Sequence, residues 1–110
     1  LCTAAALATA RALLADGFLA TVQETGAYFM EALAGLKGNH SSIRDVRGKG
    51  FMIGVEMDGA AAPVVGKMLE AGIVCGPAGP NVLRFVPPLI VSREDIDRVV
   101  STLDGVLGEA

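Results

Sequence analysis

The sequence contains few of the side chains that many binding and catalytic classes require. Its 110 residues include no tryptophan, one tyrosine, four phenylalanines and one histidine, and the net charge is −3. Nucleic-acid-binding domains usually combine clustered lysines and arginines with stacking aromatic residues, so this class is excluded. The single histidine, His40, leaves no basis for His-based triads and most zinc sites. We expect His40 to be a solvated loop residue.

Long apolar runs and paired cysteines are also missing. No stretch of 18 consecutive apolar residues occurs, and Arg11 and Asp16 follow the uncharged, alanine-rich start. We therefore expect a cytoplasmic protein that has neither a membrane span nor a signal peptide. Cys2 and Cys75 lie far apart and form no CxxC motif, which predicts reduced, mostly buried thiols. Because the sequence opens on leucine within a helical pattern, we expect a piece of a longer chain.

The apolar residues that are present predict a folded domain. The sequence is 52% hydrophobic and 19% charged, with a mean hydropathy of +0.52. This composition excludes disorder. The hydrophobic fraction is also high for a free-standing small domain, so we expect apolar surface that faces a partner or another domain.

Two helices are predicted in the first 38 residues. Residues 1–15 are rich in alanine and leucine, which favour helix, and Asp16-Gly17 interrupts them. A second apolar pattern of helical period ends near Lys37 and Gly38. Its glycine, Gly26, predicts the close approach of another element. This second apolar stripe comprises Phe18, Val22, Gly26, Phe29, Leu33 and Leu36.

The spacing of apolar residues then changes from the helical period to the alternation of β-strands, and the segment is predicted to form a hairpin. In residues 51–57 every odd position is large and apolar, which predicts a strand with one buried face. Residues 43–47 are the predicted partner strand, and residues 48–50 the predicted turn. We expect Glu56 and Asp58 to be strand-edge and capping groups rather than a pair of catalytic carboxylates.

A second hairpin follows a short predicted helix over residues 61–71. Residues 73–75 and 82–86 are predicted strands, joined by the turn-rich segment 76–81. Pro87-Pro88 ends the second strand, because proline donates no hydrogen bond to a ladder.

The last helix has the clearest sequence pattern. Ser92 is the predicted N-cap, and acidic residues follow it at the positive end of the helix. The whole order is therefore α-α-β-β-α-β-β-α, which predicts an α+β fold: a small, mainly antiparallel sheet with helices on one face. The apolar stripe of this helix comprises Ile96, Val99, Val100, Leu103, Val106 and Leu107.

Arg84 is the main candidate for a binding residue. It lies in the middle of a predicted strand, and its apolar neighbours imply that the guanidinium needs an anionic partner. A guanidinium binds a carboxylate through two parallel hydrogen bonds. From its position alone three interpretations stay open: an ion pair with Asp95 or Asp97, a ligand carboxylate, or a simple exposed arginine.

The other ionisable groups have structural explanations. Arg47-Gly48-Lys49-Gly50 matches no phosphate-binding motif and is predicted to contain a turn. The three lysines are Lys37, Lys49 and Lys67. None lies in an apolar run that would desolvate it, as Schiff-base chemistry requires. We therefore expect no catalytic residue and no metal site in the chain.

Several segments taken together resemble the class III aminotransferases, most closely the branch that acts on acetylornithine. The resemblance extends over essentially all 110 residues, in order and with family-like spacing. It rests on residues 1–6, on Val46-Arg47-Gly48-Lys49-Gly50-Phe51-Met52-Ile53-Gly54-Val55-Glu56, on Asn81-Val82-Leu83-Arg84-Phe85-Val86-Pro87-Pro88-Leu89 and on the helix start at residues 92–97.

The resemblance implies the fold and role of an intact enzyme. It implies the C-terminal part of a fold-type-I enzyme, with residues 1–38 as a helical lead-in from a large domain and residues 39–110 as the small domain. It implies a homodimer that uses pyridoxal phosphate as an electron sink. This enzyme transfers an amino group from N-acetylornithine to 2-oxoglutarate in arginine biosynthesis. Arg84 matches the family arginine that binds the substrate α-carboxylate.

The resemblance also implies what this chain lacks. The Schiff-base lysine and the residues that bind the cofactor belong to sequence upstream of Leu1, so we expect the chain alone to be inactive and to bind no pyridoxal phosphate. Ornithine, succinylornithine and 4-aminobutyrate are alternative amino donors. A stand-alone amino-acid-binding module or an oligomerisation module is the alternative function.

Overall fold

The structure, a computed structural model, describes residues 1–109. The predicted order of four helices and four strands is confirmed, although several boundaries differ. The elements are α1 (Cys2–Leu13), α2 (Phe18–Asn39), β1 (Ile43–Lys49), β2 (Met52–Met57), α3 (Ala62–Glu70), β3 (Gly76–Pro77), β4 (Val82–Phe85) and α4 (Arg93–Gly108).

The four strands form one antiparallel sheet in the order β1-β2-β4-β3. Alternation along the strands gives the sheet two different faces. Ile53 and Val55 of β2 and Leu83 and Phe85 of β4 are buried on what we call the inner face. The opposite, outer face carries Arg84. The predicted α+β class and antiparallel sheet are confirmed.

Helices α2 and α4 supply much of the core that covers the inner face. Phe29 and Leu33 of α2 are buried against it, and the ring centroids of Phe29 and Phe85 are 5.6 Å apart. Ile96 and Leu103 of α4 belong to the same core. Each such side chain contributes roughly 1.5–3 kcal/mol through burial. The inner face is therefore fixed, and the register of β4 sets the orientation of Arg84.

The close approach predicted at Gly26 is present between α2 and the β1–β2 turn. A Cβ atom at position 26 would lie 2.4 Å from the carbonyl oxygen of Gly50. Gly50 itself has a φ of 57°, a left-handed conformation that favours glycine. Position 26 must therefore be small for α2 to pack on this hairpin, and position 50 must adopt the left-handed conformation of the turn.

The N-terminus of α4 is capped as predicted. The Ser92 hydroxyl accepts a hydrogen bond of 3.1 Å from the backbone N–H of Asp95. Of the predicted apolar stripe, four residues are buried, and Val99 and Val100 are partly buried against the core. The four buried residues are Ile96, Leu103, Val106 and Leu107.

Two details of the predicted hairpins are wrong. Strand β1 continues through Lys49, so the turn lies at Gly50-Phe51 rather than at residues 48–50. Residues 73–75 are not a strand, and β3 contains only Gly76–Pro77. The pairing of β3 with β4 stops at Gly76 and Arg84.

The N-terminal helix contributes nothing to this core. No residue of α1 is buried, and large apolar side chains such as Leu7, Leu14 and Leu19 are exposed.

The cysteine prediction is only partly right, because Cys75 is half-buried whereas Cys2 is exposed; both are free thiols. No single helix within residues 1–109 is long and apolar enough to cross a membrane. The pair α1 and α2 meets that criterion together, with a bend of 66° between them.

Candidate functional site

Arg84 lies on the outer face at the end of the β3–β4 ladder. Its neighbours in sequence, Leu83 and Phe85, point inward and are buried, whereas Arg84 is exposed. The expectation of an apolar environment around the guanidinium is therefore wrong. Strand alternation separates the charge from the apolar residues beside it.

The register places a glycine on each side of Arg84. Arg84 pairs with Gly54 on β2 and with Gly76 on β3. A Cβ at Gly76 would meet no atom within 4 Å, and a Cβ at Gly54 would lie 3.3 Å from Cγ1 of Val82. A planar ligand group can therefore approach the guanidinium from the Gly76 side, whereas the Val82 side chain lies over Gly54.

A second arginine, Arg47, lies in the same row of the outer face but is already paired. Its Nη1 donates to Oε2 of Glu56 at 2.6 Å and to Oδ2 of Asp45 at 3.1 Å. The hydrogen bonds to Glu56 first and to Asp45 second raise the pKa of Arg47 above its usual value. The positive charge of Arg47 is therefore neutralised by Glu56 and Asp45, two carboxylates of the same hairpin.

These contacts change the interpretation of Glu56, and the structure also places Asp58. Glu56 belongs to β2, which is an interior strand, and it pairs with Arg47. The prediction of a strand-edge or capping role for Glu56 is therefore wrong. Asp58 follows the strand, is exposed, and donates its backbone N–H to the carbonyl of Ser42 at 2.9 Å.

Arg84 has no such internal partner in the part of the chain that the structure describes. Within residues 1–109, no carboxylate oxygen lies within 4.0 Å of its guanidinium. The predicted alternative, an ion pair with Asp95 or Asp97, is not formed. Asp97 instead accepts a hydrogen bond from the hydroxyl of Tyr28.

Tyr28, Asp97 and Arg93 form a separate cluster that joins α2 to α4. The hydrogen bond to Asp97 is the largest cause of the raised pKa of Tyr28. The guanidinium carbon of Arg93 lies 4.7 Å from the centroid of the Tyr28 ring, a cation–π contact. The first turn of α4 is thereby attached to α2 and supplies no acid to Arg84.

Two cavities have Arg84 in their walls. One, of about 490 Å³, lies next to the end of β4 and has mainly apolar walls, which include Phe29, Cys75 and Val99. The other is a shallow depression of about 710 Å³ on the outer face, beside Lys49 and Gly54. Ligand sites typically combine an apolar cavity with a few polar groups that fix the orientation of the ligand.

His40 is not the solvated loop residue that the sequence predicts. It follows the last residue of α2, its side chain is only 14% exposed, and its Nε2 lies 2.6 Å from Oδ1 of Asp104 on α4. The structure gives it a role in joining two helices. Within residues 1–109, no group of three His, Cys, Asp or Glu side chains is arranged to hold a metal ion.

The three lysines do not fit the covalent anchor of pyridoxal phosphate. Lys37 on α2 and Lys49 on β1 are exposed. Lys67 on α3 is also exposed, and its Nζ lies 4.0 Å from Oε2 of Glu109. A Schiff-base lysine is activated by desolvation or by a neighbouring cation. None of the three lysines is desolvated in the part of the chain that the structure describes.

Comparison with known proteins identifies the family. The profile of the family described as "Aminotransferase class-III" matches residues 1–107. The acetylornithine aminotransferase of Caldanaerobacter subterraneus subsp. tengcongensis is 44% identical over 110 residues, which are 99% of this chain and 28% of that protein. The [LysW]-aminoadipate semialdehyde transaminase of Deinococcus radiodurans is 41% identical over 94% of this chain and 24% of that protein.

The solved structures agree with the sequence relatives. Adenosylmethionine-8-amino-7-oxononanoate aminotransferase from Methanocaldococcus jannaschii superposes with a TM-score of 0.83 and 32% identity, over 96% of this chain and 27% of that chain. The chain thus spans about a quarter of the length of the relatives that it matches. It belongs to the class-III aminotransferase family.

Proposed function

We propose that this chain is the C-terminal region of a pyridoxal-phosphate-dependent aminotransferase, in which Arg84 binds the α-carboxylate of the substrates. One observation carries the proposal: within the described residues, Arg84 is an unpaired guanidinium with glycines on both sides, and it lies in the walls of two cavities. Family membership over residues 1–107 favours this function over a stand-alone binding or oligomerisation module.

The role of Arg84 is to bind and orient. Its planar guanidinium donates two parallel hydrogen bonds to a carboxylate, which fixes both the position and the rotation of the ligand. A hydrogen bond to a charged group is worth roughly 1.5–3 kcal/mol. An amino acid and its 2-oxo acid carry the same carboxylate, so one arginine serves both half-reactions.

We propose N-acetylornithine as the amino donor and 2-oxoglutarate as the acceptor, in arginine biosynthesis. Acetylornithine aminotransferases among the relatives support this choice. The transaminase of Deinococcus radiodurans, at similar identity, is named for a different substrate. Ornithine, succinylornithine and 4-aminobutyrate are the alternative donors, and kcat/KM measured for each donor decides among them.

We propose that this chain and the rest of the enzyme have different roles. Residues 1–38 lead from a large domain, and residues 39–110 form the small domain. We propose that the large domain holds pyridoxal phosphate and its lysine, and that this chain alone is inactive. A homodimer is part of the proposal. Leu7 of α1, Leu14 after α1 and Leu19 of α2 are exposed in this chain and support a buried position for this surface in the assembly. The cytoplasmic location stays a prediction.

The test replaces Arg84 in the full-length enzyme. Arg84→Gln keeps a polar side chain and removes the charge. We expect kcat/KM for glutamate and for 2-oxoglutarate to fall about 10- to 150-fold, which is 1.5–3 kcal/mol expressed as a ratio. Arg44→Gln, at an exposed position on β1, is the matched control and should change neither constant. Equal kinetics for the two variants would overturn the proposal.

A further inference from the structure

Gly76 on β3 pairs directly with Arg84, and residues 1–109 do not require a glycine there. A Cβ atom at position 76 would meet no atom of residues 1–109 within 4 Å. The φ of Gly76 lies outside the left-handed region, unlike those of Gly72 and Gly79. Glycine also weakens a strand, because its backbone loses more freedom on folding and it packs no side chain. Neither packing nor backbone conformation within residues 1–109 accounts for this glycine.

Two other glycines of the sheet do have a packing reason. A Cβ at Gly48 would collide with the backbone of Met52. A Cβ at Gly54, the other neighbour of Arg84, would lie 3.3 Å from Cγ1 of Val82. A glycine in a strand can also mark a site where a ligand approaches the backbone closely. Of the two glycines beside Arg84, Gly76 is therefore the one that a ligand would explain.

The charges on the outer face also leave Arg84 available to a ligand. Glu56 is the acid on the neighbouring strand β2, where it pairs with Val82, two residues before Arg84. Its Oε2 accepts a hydrogen bond of 2.6 Å from Nη1 of Arg47. On the other side of Arg84, Gly76 has no side chain that could pair with the guanidinium. Within residues 1–109, no carboxylate therefore competes with a ligand for Arg84.

We propose that Gly76 is a specificity-determining residue of the Arg84 site: the substrate's carbon chain, next to the carboxylate that Arg84 binds, occupies the space left by the missing side chain. The inference rests on the proposed function, because it requires a substrate carboxylate on Arg84. Strand β3 contains only Gly76–Pro77 and lies at the edge of the sheet. Within residues 1–109, no further strand borders the space, so a ligand can enter across this edge.

Side chains of increasing size at position 76 test whether the substrate fills this space. Gly76→Ala and Gly76→Val are made in the full-length enzyme, and valine is chosen because its branched side chain is stiff at χ1. KM for glutamate and for 2-oxoglutarate should rise in the order Gly, Ala, Val. We expect about a fivefold rise or more for Gly76→Val, the lower end of the effect of overpacking. The effect on kcat should be smaller, because the reacting groups are unchanged. An unchanged KM for Gly76→Val would overturn the inference.

Gly59, in the loop after β2, is the matched control. A Cβ there also meets no atom of residues 1–109 within 4 Å, and its φ is also outside the left-handed region. Gly59→Val should leave both KM values unchanged, and a rise equal to that of Gly76→Val would overturn the inference. The urea midpoint of Gly76→Ala should be no lower than that of the unchanged enzyme. A lower midpoint would mean that protein rather than substrate fills the space, and would also overturn the inference.

An acid at position 76 tests whether the space adjoins the guanidinium. Gly76→Asp places a carboxylate opposite Arg84, and Gly76→Asn adds a side chain of the same shape without the charge. An opposite-charge pair across two antiparallel strands corresponds to a change of up to about fivefold. KM for 2-oxoglutarate should therefore be higher for Gly76→Asp than for Gly76→Asn by up to about that factor. The difference should shrink when Arg84→Gln is also present. Equal KM values for the two variants would overturn the placement of the space beside Arg84.

The outcomes distinguish this inference from the proposed function. If Arg84→Gln lowers kcat/KM for glutamate but Gly76→Val leaves KM unchanged, the inference about Gly76 is overturned and the carboxylate role stands. If Arg84→Gln and Gly76→Val both behave like the unchanged enzyme, the proposed function is overturned and the inference with it.

Discussion

Replacement of Gly26 by alanine tests how α2 is held against the hairpin. The new Cβ would lie 2.4 Å from the carbonyl oxygen of Gly50 and 2.9 Å from its carbonyl carbon. These are backbone atoms, so the contact cannot be relieved by a side-chain rotation, and α2 must move away from the turn. Overpacking of this kind costs about 1–3 kcal/mol, and the better helix propensity of alanine offsets about 1 kcal/mol. We expect Gly26→Ala to lower the free energy of unfolding by about 1 kcal/mol, and by at most about 2 kcal/mol.

Gly35 on the same helix is the matched control. A Cβ there would meet no atom within 4 Å, so only the helix propensity changes. Gly35→Ala should therefore raise the free energy of unfolding by about 0.5–1 kcal/mol. Urea unfolding followed by circular dichroism gives both values, provided that the slope with urea is the same for all three proteins. An increase in stability for both variants would refute the close approach of α2 to Gly50.

Three further predictions concern α4 and Cys75. Ser92→Ala removes the N-cap and should lower the free energy of unfolding by about 1 kcal/mol in the same assay; no change would contradict the cap. Asp104→Ala removes the partner of His40 and should cost about 1 kcal/mol, whereas a neutral result would mean that this contact contributes nothing. Burial raises the pKa of the Cys75 thiol, so the folded state keeps the proton to higher pH than the unfolded state. The pH midpoint of Cys75 alkylation should therefore lie above that of the urea-unfolded chain, and stability should fall as the pH rises above the unfolded value; equal midpoints would contradict the burial.

The elements that the sequence predicts well are those with a local signal. In α4 the N-cap and the apolar period occur within 16 residues, and both are found. In β2 the alternation of large apolar residues predicts the buried face of the strand. The strand predicted at residues 73–75 is absent, and the ladder with β4 stops at Gly76 and Arg84. Strand formation there depends on pairing with another segment, so the local pattern of the three residues does not decide it.

The site was harder to predict than the fold, because its contacts join distant residues. Nothing near His40 in the sequence points to Asp104, which lies 64 positions away. The exposure of Arg84 could have been predicted from the alternation of Val82, Leu83 and Phe85, which places the arginine opposite the buried face. The glycines on both sides of Arg84 are set by the pairing of three strands, and pairing partners cannot be read from one segment. The carboxylate role of Arg84 is implied by the resemblance to the family and not by the pattern of the strand.

A crystal structure of the full-length enzyme with bound 2-oxoglutarate tests the central claim most directly. The account predicts that one carboxylate of the ligand lies on the outer face of the sheet and accepts two hydrogen bonds from the guanidinium of Arg84, with N···O distances of about 2.7–2.9 Å. It also predicts that Arg47 keeps its contacts with Asp45 and Glu56. A ligand bound with its carboxylates on other residues, and with Arg84 in contact only with solvent, would contradict the account.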